Sequence, residues 1–245
     1  MKDKINTIFW YIKKGYFLQL LNILKRSKNE DTRFEATQWC KENAVTELEA
    51  LQKFGINSKE GIEEKYLEYA YSEHEKCITP MGGPGSMVLL HNICKYFQPK
   101  SVLETGVAYG WSTLSILSAL KNNNAQLISI DMPYPKMDNE ENVGCVVHPL
   151  LRSNWTLIRK PDILGLPFAL EKLGKIDLCH YDSDKSYSGR KWAQKKIWES
   201  LNINGIYIED DINDNIAFQE FAIALGVNPI IVKCDDKFLG LIVKS

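Results

Sequence analysis

The sequence lacks most of the features that assign a protein to a class at sight. Its six cysteines, Cys40, Cys77, Cys94, Cys145, Cys179 and Cys234, form no CxxC pair and mostly sit inside apolar runs. A free thiol in such a run behaves as a small hydrophobe, which argues against zinc and against a disulfide framework and points to a reducing cytoplasm. No uninterrupted apolar run approaches the ~20 residues that span a bilayer, and no small-residue cleavage site marks a signal peptide. A basic excess is also missing: 30 Lys and Arg against 31 Asp and Glu leave a formal net charge of -1. Nucleic acid is therefore not expected as a partner, whereas small molecules or other proteins are. What is present is an ordinary globular composition, 44% hydrophobic and 25% charged over 245 residues, enough for one large or two small domains with a full core.

The punctuation TPMGGPG at 79–85 divides the chain. Residues 1–80 read as a wholly helical cap with no strand, either a substrate wall or an oligomerisation segment. Its first part, INTIFWYIKKGYFLQLLNILKR, places Ile5, Phe9, Ile12, Tyr16, Leu20 and Leu24 on one helical stripe, with Lys13, Lys14, Lys25 and Arg26 around it. Such a helix packs on its own domain or on a second subunit, so a homodimer stays open; the aromatic and basic mixture also suits an anionic membrane surface.

Residues 81–245 alternate helices with strands, which implies a parallel sheet covered on both faces. Strands are expected at 102–105, 127–131, 155–160, 176–182, 205–211, 228–234 and 238–244, seven in all, with helices at 87–97, 111–121, 162–173, 187–201 and 214–225. Only CDDKF joins the last two strands. That is too short for a crossover helix, so they form an antiparallel hairpin. The expectation is an α/β fold: a Rossmann-like, doubly wound seven-stranded sheet of order 3-2-1-4-5-7-6 with the last strand antiparallel. Ligands then bind at the carboxyl ends of the strands, near the point where the strand order reverses.

VLETGVAYGWSTLSIL, 102–117, is a strand, a glycine turn and a helix. The free N–H groups of a helix start and the small glycines let a ligand approach the main chain. A dinucleotide would ask for G-x-G-x-x-G, and Gly106-Val-Ala-Tyr-Gly110 has no such trio. Glu104 repels phosphates but suits an ammonium group, and Asp131, ending the second strand, suits the two hydroxyls of a ribose. A ribose and an ammonium without phosphate point to S-adenosylmethionine.

The same stretch followed by LISID resembles the cofactor motif of class I S-adenosylmethionine-dependent methyltransferases. It is most similar to the metal-dependent catechol, caffeoyl-CoA and macrocin O-methyltransferase branch, over about residues 82–245. The resemblance implies that Glu104, Gly106, Ala108, Gly110 and Ser112 surround the methionine part of the cofactor and that Asp131 holds its ribose; Asp162 is a weaker candidate for the adenine amino group. Tyr109 or Trp111 would bound the methyl site.

Two acidic clusters, HYDSDKSY (180–187) and IEDDINDN (208–215), each follow a strand. Asp182, Asp210 and Asp211 can therefore converge on one point. Three carboxylates without a cation repel one another, so magnesium or another hard divalent ion is the expected companion. The resemblance implies the same, and implies the three-aspartate version of the site. Helix capping by Asp182, Asp184, Asp211 or Asp214 is the alternative reading of these acids. Lys185 stands where the catechol-type enzymes place a lysine base; pairing with Asp184 is its alternative. His180 alternates with Asp182 along the strand and is a second base candidate or a structural histidine, while His74, His91 and His148 lie outside recognisable motifs.

Residues 132–154 have no convincing regular element and are expected to form a lid, with Tyr134 and Arg152 as contacts, or to be disordered. Together these readings describe an S-adenosylmethionine-dependent, magnesium-dependent O-methyltransferase acting on a hydroxyl of a small molecule or sugar. Two alternatives accompany it. One is a cephalosporin hydroxylase-like enzyme on the same fold, for which no 2-His-1-carboxylate iron pattern is visible. The other is a non-catalytic, membrane-peripheral scaffold working through its first helix.

Overall fold

The structure, a computed structural model, describes residues 9–16, 32–132 and 140–245. Most of the amphipathic helix expected at 5–24 lies outside the described residues. Within them, 9–13 are helical, but the stripe faces differently from expectation: Phe9 and Ile12 are 65% and 50% exposed, whereas Tyr11 is buried with its hydroxyl 3.8 Å from Met132 Sδ.

The elements that follow are α1 (Arg33–Asn43), β1 (Ala44–Val45), α2 (Glu47–Lys53), α3 (Glu64–His74), α4 (Met87–Phe97), β2 (Ser101–Thr105), α5 (Trp111–Leu120), β3 (Gln126–Ile130) and β4 (Trp155–Ile158). After them come α6 (Asp162–Leu173), β5 (Ile176–Tyr181), α7 (Tyr187–Ser200), β6 (Leu201–Glu209), α8 (Ala217–Leu225), β7 (Ile230–Cys234) and β8 (Lys237–Val243). The sheet runs β1-β7-β8-β6-β5-β2-β3-β4, with β8 antiparallel to both β6 and β7 and every other pair parallel.

Read from β4 inward, this is the expected order with one strand added. The eighth strand comes from the segment expected to be helical throughout: Ala44 and Val45 pair with Ile231 and Val232 at the sheet edge. Two residues between a helix and the capping box of Thr46 and Glu49 carry no strand periodicity, so the edge pairing is decided by tertiary contact alone.

The central strands read as continuous apolar runs because both faces are covered. In β2 Val102 and Leu103 are fully buried on opposite faces, one in the cluster with Leu90, Leu114 and Leu178, the other with Ile130, Leu166 and Ile197. Residues of α2, α3 and α4 belong to the first cluster, so the helices preceding the first long strand bury their apolar faces against the same sheet.

Three strand ends differ from expectation in ways that place the site. β3 stops at Ile130, β5 at Tyr181 and β6 at Glu209, so Asp131, Asp182, Asp210 and Asp211 all stand just beyond the carboxyl ends of their strands. A turn of 3-10 helix at Ile212–Asp214 then delays α8 to Ala217. Among the described residues, no helix is long and apolar enough to cross a membrane.

Candidate active site

At the carboxyl ends of β2, β5 and β6 lies an open cavity of about 610 Å³. Its floor carries Gly106, Ala108, Ser112, His180, Asp182 and Asp210; one wall is the 81–87 segment, the other the β7–β8 hairpin with Lys237.

The glycine turn is built by close approach. Gly106 has φ +77°, and a Cβ there would lie 2.7 Å from the Asp182 carbonyl carbon and closer still to its oxygen. Only a residue without a side chain lets the β2 end lie against the β5 end, where Asp182 N donates to Thr105 O at 2.9 Å. Ala108 follows at φ +48°, and Gly110, at φ +99°, precedes α5, which no side chain caps.

Glu104 lies beneath the floor, fully buried, and not in the cavity wall. Its Oε1 accepts from Ser112 Oγ (2.6 Å), and its Oε2 from Thr113 Oγ1 (2.7 Å) and Ser129 Oγ (2.5 Å). Burial raises its pKa even against the pull of His180 and these three hydroxyls. Asp131 is also turned to the chain: Oδ2 accepts the N–H groups of Val107 and Ala108 at 2.8 Å each, and Oδ1 accepts Arg159 Nη1 at 2.7 Å. Arg159 continues to Glu140 Oε2 at 2.7 Å. Asp162, at the start of α6, accepts Ser183 Oγ at 2.5 Å, and burial lifts its carboxyl to about 6. Neither Asp131 nor Asp162 lines the cavity.

The three aspartates do meet: one carboxylate oxygen each from Asp182, Asp210 and Asp211 lies within 4.8 Å of the others. Burial, and then repulsion from Asp182 and Asp211, pushes Asp210 up to about 6; burial raises Asp182 as well, against the pull of Lys185. Two lysines answer the charge. Lys185 Nζ contacts Asp211 Oδ2 and stands 2.9 Å from Asp182 Oδ1, while Lys237 Nζ stands 3.2 Å from Asp211 Oδ1 and 4.0 Å from Asp210 Oδ2. Three carboxylates against two ammonium groups leave one negative charge, in a donor set of hard oxygens that suits magnesium or calcium. No histidine belongs to this cluster.

Lys185 does not pair with Asp184. Burial works against its charge, but Asp182 and Asp211 outweigh that and raise its pKa, so it stands here as a fixed ammonium. His180 is buried, with Nδ1 4.0 Å from Glu104 Oε1 and without a hydrogen-bond partner among the described residues; burial lowers its pKa and keeps the ring neutral.

Of the lid expected at 132–154, residues 132 and 140–154 are described, and the latter serve the glycine turn. Tyr134 lies outside the described residues, and Arg152 turns away from the cavity to hold its own loop through Val147 O (2.9 Å) and Gly144 O (3.2 Å). This loop is wedged on the glycine turn: Gly144 N donates to Ala108 O, Val146 N to Tyr109 O, and Val146 and Val147 are fully buried. Apolar side chains with backbone bonds to a turn make a fixed buttress. Trp111 reaches the cavity, whereas Tyr109 is buried behind it with its hydroxyl on Thr79 O at 2.5 Å. Arg159 and Lys237, like the buried Arg190 behind the aspartates, escaped sequence reasoning because each works through a partner far away in the chain.

Residues 103–212, which contain the glycine turn and all three aspartates, match a family model described as a methyltransferase domain. That stretch of the chain is similar to a methyltransferase domain. No curated protein matches the chain. Among solved structures, cofactor-bound Rv0187 from MTB is 15% identical, with a TM-score of 0.59 over 75% of this chain and 92% of that one. The SAH-bound methyltransferase PaMTH1 of Podospora anserina is 17% identical, with a TM-score of 0.56 over 89% and 97%. The O-methyltransferase TomG of Streptomyces achromogenes, in complex with SAM and involved in tomaymycin synthesis, is 16% identical, with a TM-score of 0.56 over 80% and 96%. At these identities the likeness establishes the fold.

Proposed function

We infer that the protein is an S-adenosylmethionine-dependent O-methyltransferase whose acceptor is a hydroxyl of a small molecule or sugar, activated by a divalent cation, magnesium by preference. The observation that carries this reading is the convergence of Asp182, Asp210 and Asp211 within 4.8 Å, with Asp182 and Asp210 lining the cavity that also contains the glycine turn. Gly106, Ala108 and Ser112 line the cavity on the methionine side, and Gly110 sets the start of α5 beside them. Glu104 acts from below by fixing the Ser112 hydroxyl, and Asp131 by fixing the N–H groups of the turn. Asp131 retains carboxylate lone pairs for a ribose hydroxyl, because only three of about four acceptor sites are taken.

A sulfonium donor supplies an electrophilic methyl carbon, and a divalent cation makes a bound hydroxyl more acidic. The chain's own contribution is alignment: the donor side of the floor and the cation side are locked together where Gly106 meets Asp182, which holds both reactants in one frame. Neutral His180 stands at the floor where an acceptor hydroxyl would release its proton, and Lys185, an ammonium among the aspartates, stands beside it as their counter-charge. The 81–87 segment and the β7–β8 hairpin frame the acceptor side.

The test is calorimetry with S-adenosylmethionine, followed by methylation of a panel of sugars and phenols with and without chelator. The reading expects donor binding, and transfer that falls at least tenfold with chelator and returns with magnesium. Donor binding with transfer indifferent to chelator would remove the cation; absence of donor binding would remove the reading as a whole.

A further inference from the structure

Behind the aspartates lies a cation that takes no part in the cavity. Arg190, in the first turn of α7, is 1% exposed, and its obvious partner is Glu209, fully buried at the end of β6. Glu209 is itself held by Tyr207 Oη at 2.6 Å and Gln194 Nε2 at 3.0 Å. Asp214 Oδ2 stands 3.9 Å from Nη2 as a second, more distant carboxylate, and the guanidinium spends its N–H groups beyond the Glu209 pair on main-chain carbonyls of the two loops that bear the aspartates. Nη1 donates to Asp210 O at 3.0 Å, Nη2 to Asp211 O at 2.9 Å, and Nε to Lys185 O at 3.4 Å. Asn215 Nδ2 donates to the same Lys185 carbonyl at 2.9 Å.

These bonds fall where the backbone needs them. Asp211 has φ +51°, the left-handed conformation that a residue with a Cβ avoids unless its surroundings impose it. The carbonyl of Asp211 is the one that Nη2 holds. The planar fork of a guanidinium reaches two successive carbonyls at fixed spacing, which a lysine ammonium cannot do. Asp210 and Asp211 therefore point toward Asp182 because a buried fork fixes the peptide units that carry them, and its Nε ties that loop to the one containing Lys185.

We propose that Arg190 is the positioning residue of the cation site, setting the distance between the Asp182–Lys185 loop and the Asp210–Asp211 loop without touching the cation or the substrates. This rests on the reading of the three aspartates as cation ligands. Removing such a support costs about 10–100-fold in metal affinity in sites of known ligation.

The experiment measures Mn²⁺ affinity by electron paramagnetic resonance, S-adenosylmethionine affinity by calorimetry, and Tm, on the full chain. Arg190→Met paired with Glu209→Gln removes the fork without leaving a buried charge unpaired; Glu209→Gln alone weakens the ion pair but keeps the fork on the carbonyls. The double variant is expected to lose at least about tenfold in Mn²⁺ affinity while donor affinity stays within about twofold. Glu209→Gln is expected to lower Tm with Mn²⁺ affinity within about threefold of the parent. A merely structural arginine would make Mn²⁺ affinity follow Tm in both variants. Should the double variant not fold, Arg190→Lys carries the test: it keeps a charge opposite Glu209, gives up the fork, and is expected to show the same tenfold loss. A folded double variant, or a folded Arg190→Lys, with parental Mn²⁺ affinity overturns the role of Arg190. A parent chain that binds no Mn²⁺ overturns instead the metal reading on which that role rests.

Discussion

Replacing Gly106 by alanine strikes the joint between the two halves of the site. The new Cβ would lie 2.7 Å from the Asp182 carbonyl carbon and 3.2 Å from Ser183 N, both backbone atoms that cannot rotate aside. The residue would also keep φ +77°, which costs a residue with a side chain about 1–2 kcal/mol. Overpacking against rigid neighbours adds about 1–3 kcal/mol. A total near 4 kcal/mol corresponds to a fall in Tm of about 10 °C for a chain of this size. The strain is relieved only by moving the β5 end outward, which displaces Asp182 from Asp210 and Asp211. Mn²⁺ affinity and S-adenosylmethionine affinity are therefore expected to fall together. Gly110→Ala should be milder, since its nearest neighbours, Val147 Cγ2 at 2.9 Å and Gly144 Cα at 3.0 Å, lie farther from the new Cβ than the Asp182 carbonyl does at Gly106, although φ +99° still penalises it. Ala108→Gly is the control: it relieves a left-handed alanine at φ +48° but adds chain entropy, and should stay within about 1 kcal/mol of the parent. Thermal and urea unfolding with calorimetry measure all three. A Gly106→Ala chain with parental Tm and parental donor binding would refute the close approach of β2 and β5 as the organiser of the site.

Asp162→Asn should change the pH dependence of stability. The carboxyl sits at about 6 in the fold against an ordinary 3.8, so its ionisation opposes folding: the penalty is absent below about pH 4, grows between 4 and 6, and above 6 amounts to about 3 kcal/mol. The asparagine chain should gain on the parent as pH rises through that window, and a difference between the two that stays flat from pH 4 to 7 in urea unfolding would count against it. Asp131→Asn must turn an N–H₂ either on Arg159 or on the N–H groups of Val107 and Ala108; a loss of about 1–3 kcal/mol with weaker donor binding is expected, and unchanged unfolding and calorimetry would exclude it. Lys237→Met removes a half-exposed cation that competes for Asp210 and Asp211. Pairs of this kind are worth about 0.2–1 kcal/mol, so Mn²⁺ should bind a few-fold more tightly, and weaker binding would contradict the competition.

The sequence by itself determined the sheet order and the places where the acids stand. Strand–helix alternation allows few topologies, the short CDDKF link forces the hairpin, and an acid just past a strand end can only lie on the ligand-binding edge. Hence Asp182, Asp210 and Asp211 could be brought together from the sequence, whereas the close approach of Gly106 to the Asp182 carbonyl could not. What the side chains do there was a tertiary matter. Glu104 and Asp131 were legible as acids beside the turn, but their use for Ser112, Thr113, Ser129, Arg159 and the turn's own N–H groups depends on partners that only folding brings near. The edge strand Ala44–Val45, the buttress at 143–147, and Lys237 and Arg190 around the aspartates were equally hidden. Periodicity and spacing report how each segment meets the solvent, whereas a buried charge selects its partner by distance in space, which the order of residues does not record.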